Sequence, residues 1–110
     1  MIVDEMMFYR QLGIGRVREL TGEIVLSYVE VKVAIDYIAS GTGITILGGD
    51  VLDAKDDYVY AFWNYDNDPT LSQIENSRLS CKKSLDYISS LGSKELCYYI
   101  LVLDSPTPDS

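Results

Sequence analysis

A chain of 110 residues that is 47% hydrophobic and 24% charged forms one packed domain, which excludes both a second core and an intrinsically disordered chain. Its 17 acidic residues against 9 basic ones leave a net charge of -8, which works against nucleic acid and anionic membranes and favours a cationic partner. With no histidine and 2 cysteines, the Ser-His and Cys-His dyads and the usual zinc ligand set are ruled out.

In chain order, the first 26 residues read as a short helix or turn followed by an irregular approach, because Gly13 and Gly15 break the weak apolar pattern of Met6, Met7, Leu12, Ile14 and Val17. Ser27 and Glu30 form a capping box, and Val31, Ala34, Ile35 and Ile38 then follow the i, i+3, i+4, i+7 spacing of one buried helical stripe. Gly41 or Gly43 ends that helix. Ile44-Thr-Ile-Leu47 suits a buried strand, and after the polar tip Asp53-Ala-Lys-Asp-Asp57 comes the aromatic run Tyr58-Val-Tyr-Ala-Phe-Trp-Asn-Tyr65, so the pair reads as a hairpin. Alternation sets Tyr58, Tyr60, Phe62 and Asn64 on one face of the second strand and Val59, Ala61, Trp63 and Tyr65 on the other. Both faces are partly apolar, which suits a central strand. A turn at Asp66-Asn-Asp-Pro69 precedes a second helix, capped by Thr70 with Gln73 or by Ser72 with Glu75, with a stripe of Ile74, Cys81, Leu85 and Ile88 and a stop at Gly92. Glu95-Leu-Cys-Tyr-Tyr-Ile-Leu-Val-Leu103 is the strongest strand, and Pro106 and Pro108 open a mobile tail over residues 105–110.

The order predicts an α/β (α+β) domain over residues 1–104: a small mixed sheet of about three strands, including a central hairpin, packed against two main helices. Cys81 and Cys97 each fall inside an apolar pattern and read as reduced, buried small hydrophobes. No apolar run approaches the roughly 20 residues that span a bilayer. The start, Met-Ile-Val-Asp-Glu-Met-Met, is acidic where a signal peptide is basic, so the expected location is cytoplasmic and the expected state monomeric.

Charge and aromatic side chains concentrate in one place. Asp50, Asp53, Asp56, Asp57, Asp66 and Asp68 face only Lys55 in that stretch, which also holds Tyr58, Tyr60, Phe62, Tyr65 and the only tryptophan, Trp63. Aromatic anchors rimmed by acid suit a basic protein surface, so the candidate partner-binding residues are Asp50, Asp53, Asp56, Asp57, Trp63, Tyr65, Asp66 and Asp68. Trp63 has two readings, core residue or interface anchor. The aspartate pairs, Asp50 with Asp53 and Asp66 with Asp68, are the only carboxylates placed for hydrolysis or magnesium, and turn formation and solvated rims account for them better. No enzyme activity, metal or cofactor is expected. Gly48-Gly49-Asp50 lacks the spacing of a phosphate-binding loop and reads as a glycine bulge that bends the strand and aims Asp50.

Ala34-Ile-Asp-Tyr-Ile38, Gly43-Ile-Thr-Ile-Leu-Gly-Gly-Asp-Val51 and the aromatic strand ending in Trp63-Asn-Tyr65-Asp-Asn-Asp resemble the Immunity protein 40 family over roughly residues 12–103. Phe62-Trp-Asn-Tyr-Asp-Asn departs from the Tyr-Asp-Asn-Trp-Tyr-like order of that family. The resemblance implies an immunity protein of a bacterial polymorphic toxin system, such as contact-dependent growth inhibition. It would be a non-catalytic inhibitor that occludes a cognate toxin domain, encoded by the adjacent gene, in the cytoplasm of the producing cell. A basic toxin such as a nuclease fits the acidic surface. The alternative is a small-ligand or regulatory module in which the aromatic strand lines a pocket.

Overall fold

A computed structural model describes residues 5–55, 57–91 and 97–104. The elements in order are α1 (Glu5–Leu12), β1 (Arg16–Val17), β2 (Ile24–Ser27), α2 (Tyr28–Ala39), β3 (Thr45–Leu52), β4 (Tyr58–Asn64), α3 (Gln73–Ser90) and β5 (Tyr98–Asp104). The class is the expected α+β, but the described residues form a sheet of 5 strands in the order β1-β2-β5-β3-β4, with every pairing among them antiparallel. The expected mixed sheet of about three strands is corrected accordingly. The β3–β4 hairpin is also not central, because β5 pairs along the other edge of β3, from Thr45↔Asp104 to Leu52↔Tyr98, and leaves β4 outermost. Tyr99, Ile100 and Leu101 in β5 are 0%, 3% and 2% exposed. A run of consecutive buried residues suits a strand that is flanked on both edges, as β5 is by β2 and β3.

β2 escapes the sequence reading because it is only Ile24-Val-Leu-Ser27, and its last residue also caps a helix. The Ser27 hydroxyl accepts from the Glu30 N–H, while the Glu30 carboxylate accepts from the Ser27 N–H at 2.9 Å and, through its other oxygen, from the Gly15 N–H at 3.0 Å. One side chain therefore closes the capping box of α2 and ties the segment before β1 to it. Burial of this carboxyl opposes ionisation, but the hydrogen bonds from Ser27 and Gly15, with the charge of Arg16, hold it below the usual carboxylate range. The expected stripe of α2 is the observed one: Val31, Ala34, Ile35 and Ile38 are all fully buried. The helix ends at Ala39 with Ser40 as its C-cap, ahead of Gly41 and Gly43, which both have positive φ.

The second capping box is Ser72 with Glu75. The inner face of α3, however, is small and polar. Asn76, Ser77, Ser80, Cys81, Ser84 and Ile88 are buried, whereas the expected stripe members Ile74 and Leu85 lie half-exposed. Two of the three buried hydroxyls, those of Ser80 and Ser84, offset their burial by bonding twice, while that of Ser77 has no partner among the described residues. Ser80 donates to the Ser77 carbonyl at 2.7 Å and accepts from the Ile46 N–H at 2.9 Å, beyond the point where the pairing of β3 with β4 ends at Gly48↔Asn64. Ser84 donates to the Ser80 carbonyl at 2.7 Å and accepts from the Trp63 indole N–H at 2.9 Å. Small side chains also bring α3 close enough to the sheet for that indole to fit between them. Gly92, Glu95 and the tail at residues 105–110 lie outside the described residues.

The main core lies between the three helices and one face of the sheet, where Leu26, Ile46, Val51, Trp63, Tyr99, Leu101 and Leu103 meet Tyr9, Ile35, Cys81 and Ile88. Val25, Leu52 and Ile100 form a smaller cluster on the opposite, helix-free face, with Tyr98 packed beside it under the Arg16 guanidinium at 4.8 Å.

Candidate partner-binding surface

The acidic aromatic segment is contiguous in sequence but not in space. Asp53 and Asp57 sit at the hairpin tip and Asp66 and Asp68 in the loop after β4, with a strand of 7 residues between them, about 20 Å at the usual rise per residue. Asp50 lies between these ends on β3, directly across from Phe62.

At the tip, the Asp53 carboxylate accepts from the Lys55 N–H at 2.7 Å and the Asp57 N–H at 3.1 Å, so it shapes the turn in addition to carrying charge. Asp57 is exposed, while Asp56 lies outside the described residues. In the other loop, the Asp68 carboxylate accepts from the Thr70 hydroxyl at 2.6 Å and the Thr70 N–H at 2.9 Å, and those two bonds hold its carboxyl below the usual range. Asp66 is exposed. The half-buried Tyr65 donates its hydroxyl to Asn76 Oδ1 at 2.7 Å. Asn76, 1% exposed, also accepts from the Asp68 N–H and donates to the carbonyls of Asp68 and Ser72, so it pins the loop onto the start of α3. Burial first, and then the charge of Asp68, raises the Tyr65 phenol.

Of the two readings of Trp63, the fold selects the core. The indole is 5% exposed, stacks on Tyr87 with centroids 5.2 Å apart and lies over Gly49, its partner in the β3–β4 register. A Cβ on Gly49 would meet the indole Cζ2 at 2.7 Å and the Ile100 carbonyl oxygen at 2.6 Å. The glycine is therefore a seat for the tryptophan, and two distinctive parts of the sequence are halves of one contact. The β3–β5 register shifts between Ile46 and Gly48, next to the glycine pair where the sequence suggests a bulge.

With Trp63 turned inward, alternation turns Phe62 outward, where it is 67% exposed. The anchors expected from the sequence are Trp63 and Tyr65, and the alternation that sets Phe62 opposite Trp63 is the signal that points to Phe62 instead. On the same helix-free face lie Ile100, the cross-strand partner of Asp50, and Val102, the partner of Gly48. Val102 is 46% exposed, and Asp104 at the strand end is exposed. Asp50 is half-buried here. Desolvation, with the like charge of Glu23 second, raises its carboxyl above the usual range.

Among the described residues no group of three or more Cys, Asp or Glu could hold a metal ion, and no helix is long and apolar enough to cross a membrane. Two cavities are lined by residues of α1, the following loop and β1 with Ile24, and by residues 16–20 with Lys55 and Asp57. Of the described side chains of β4, namely Val59, Ala61, Phe62, Trp63 and Asn64, none lines either cavity. What the surface offers is an exposed aromatic ring and carboxylates, which suit contact with another protein.

The sequence model of Immunity protein 40 matches residues 10–103. No curated protein and no solved structure matches the chain.

Proposed function

The chain belongs to the Immunity protein 40 family, and from that premise we infer that it neutralises a cognate bacterial toxin domain by binding it and covering its active site or substrate surface. Membership makes it an immunity protein against a toxin. The family match over residues 10–103 carries the reading. The finer parts are our proposal: the toxin is encoded by the adjacent gene of a polymorphic toxin system, presents a basic surface such as that of a nuclease, and is met in the cytoplasm by a non-enzymatic inhibitor. A net charge of -8 supports a cationic partner, since opposite fields speed encounter and reject wrong orientations. Asp53, Asp56, Asp57, Asp66 and Asp68 supply steering and rim charge, and no single one of them is decisive. With its indole in the core, Trp63 supports the hairpin from inside.

The test is coexpression with the product of the gene immediately upstream. The two chains copurify and growth is restored. A neighbour that carries no toxin domain, or whose toxicity persists, removes the reading. Reversing charge at Asp57 and Asp66 slows association and flattens its salt dependence; unchanged association kinetics would show that the acidic ends face away from the toxin.

A further inference from the structure

Three surfaces are candidates for the centre of the contact: the acidic hairpin tip, the outer stripe of α2 and the helix-free face of the sheet. The tip is turn chemistry and solvated charge. On α2, Val29, Val33 and Tyr37 are exposed at i, i+4, i+8 spacing, but Lys32 and Asp36 flank them with both signs of charge and select no partner. The sheet face combines exposed apolar area with a carboxylate, Asp50, that no described residue pairs.

Three observations meet there. Phe62 and Val102 are 67% and 46% exposed, and no helix of the described residues joins the cluster on this side of the sheet. Between them the Asp50 carboxylate makes no hydrogen bond or ion pair with any described residue; burial, and then the like charge of Glu23, oppose its ionisation. Glu23 in turn leans on Arg18 at 3.8 Å. Asp104 extends the negative rim at the end of β5. A partly desolvated, unpaired carboxylate costs stability, and folds tolerate such a group where function uses it.

We propose that the helix-free face around Asp50, Phe62 and Val102 is the centre of the toxin contact and receives an arginine or lysine side chain of the toxin, its cation on Asp50 and its stem against the Phe62 ring. This rests on the reading that the chain binds a toxin, and it adds which face does so and what it grips. The incoming cation gains a carboxylate that water solvates incompletely, and the ring face opposite adds a cation–π contact. Phe62 and Val102 exclude water around the pair, the arrangement that makes a central contact energetically dominant.

The experiment measures the affinity of the full chain for the toxin domain encoded by the adjacent upstream gene, made by cell-free synthesis, by biolayer interferometry. The variants are Asp50→Asn, Phe62→Ala and, on the opposite side of the molecule, Val33→Lys, with melting temperatures measured alongside. Asp50→Asn weakens binding by about 30-fold or more, the scale of a central hot spot, while its melting temperature holds or rises, because the substitution removes a half-buried charge that no described residue pairs. Phe62→Ala weakens binding by about 10-fold or more on the same scale with an unchanged melting temperature, which keeps the test decisive should Asp50→Asn perturb folding. Val33→Lys binds as the parent chain does. If Val33→Lys abolishes binding while the two sheet-face variants bind normally, the proposed face is wrong and toxin binding stands. If the parent chain itself fails to bind, neutralisation by binding falls, and this inference with it.

Discussion

Gly49→Ala tests the contact between the glycine pair and the tryptophan. Gly49 does not have a positive φ, so alanine brings no backbone strain and the penalty is purely steric. The new methyl would lie 2.6 Å from the Ile100 carbonyl oxygen and 2.7 Å from the indole Cζ2. Neither can yield freely: Ile100 sits in β5 with Asp50 as its register partner, and the indole is held by Ser84 at 2.9 Å and stacked on Tyr87. Overpacking typically costs about 1–3 kcal/mol, and with a backbone atom in the way the upper end applies, about 3 kcal/mol out of a total of roughly 5–15 kcal/mol for a domain. That corresponds to a fall in melting temperature of about 10 °C or more. Urea unfolding followed by circular dichroism measures it, together with a double-mutant cycle with Trp63→Phe. The smaller ring alone loses the bond to Ser84 and leaves a void, yet it also vacates the space the methyl needs, so the double mutant should be more stable than the sum of the single effects by about 1 kcal/mol. A cost below about 0.5 kcal/mol for Gly49→Ala, or strict additivity in the cycle, would refute the seat.

Glu30→Gln keeps the shape of the capping side chain but presents an amide group where the carboxylate accepts from Ser27 and Gly15, and should cost about 1–2 kcal/mol at pH 7. The folded-state value of Glu30 is lowered from 4.5, so its contribution is present above pH 4.5 and is lost as the pH falls through the folded value; thermal melts of the two proteins should converge there, and parallel curves would contradict the assignment. Burial pushes the Cys81 thiol up to about 11, while Cys97 is half-exposed. A thiol-reactive chromogen at pH 8 should therefore label one cysteine in the native protein and the second only on unfolding, and prompt labelling of both would contradict the burial of Cys81.

The helices show how much of the fold is legible locally. The stripe and capping box of α2 depend on residues three to seven positions apart, and each appears in the structure as its spacing implies. α3 is a partial case. Its cap is local and legible, but its buried face follows Asn76, Ser80 and Ser84, which read as solvent-facing until Trp63 and the end of β3 supply partners for them. β2 is hidden for the same reason, since four residues become a strand only once β1 and β5 lie beside them.

The candidate surface divides along the same line. Sequence by itself determined the charge sign, the hairpin with its polar tip, the alternation that sets Phe62 against Trp63, and the family signature in residues 43–51, because each is a matter of composition or short-range spacing. Only the tertiary structure decided that β5 inserts beside β3 and makes β4 an edge, that Trp63 rather than Phe62 faces the helices, and that the acidic segment splits to two ends with Asp50, unpaired among the described residues, between them. The physical reason is that a strand carries two usable faces and two usable edges, and the choice among them is made by distant segments: the space left by Gly49, the small face of α3 and the apolar run of β5.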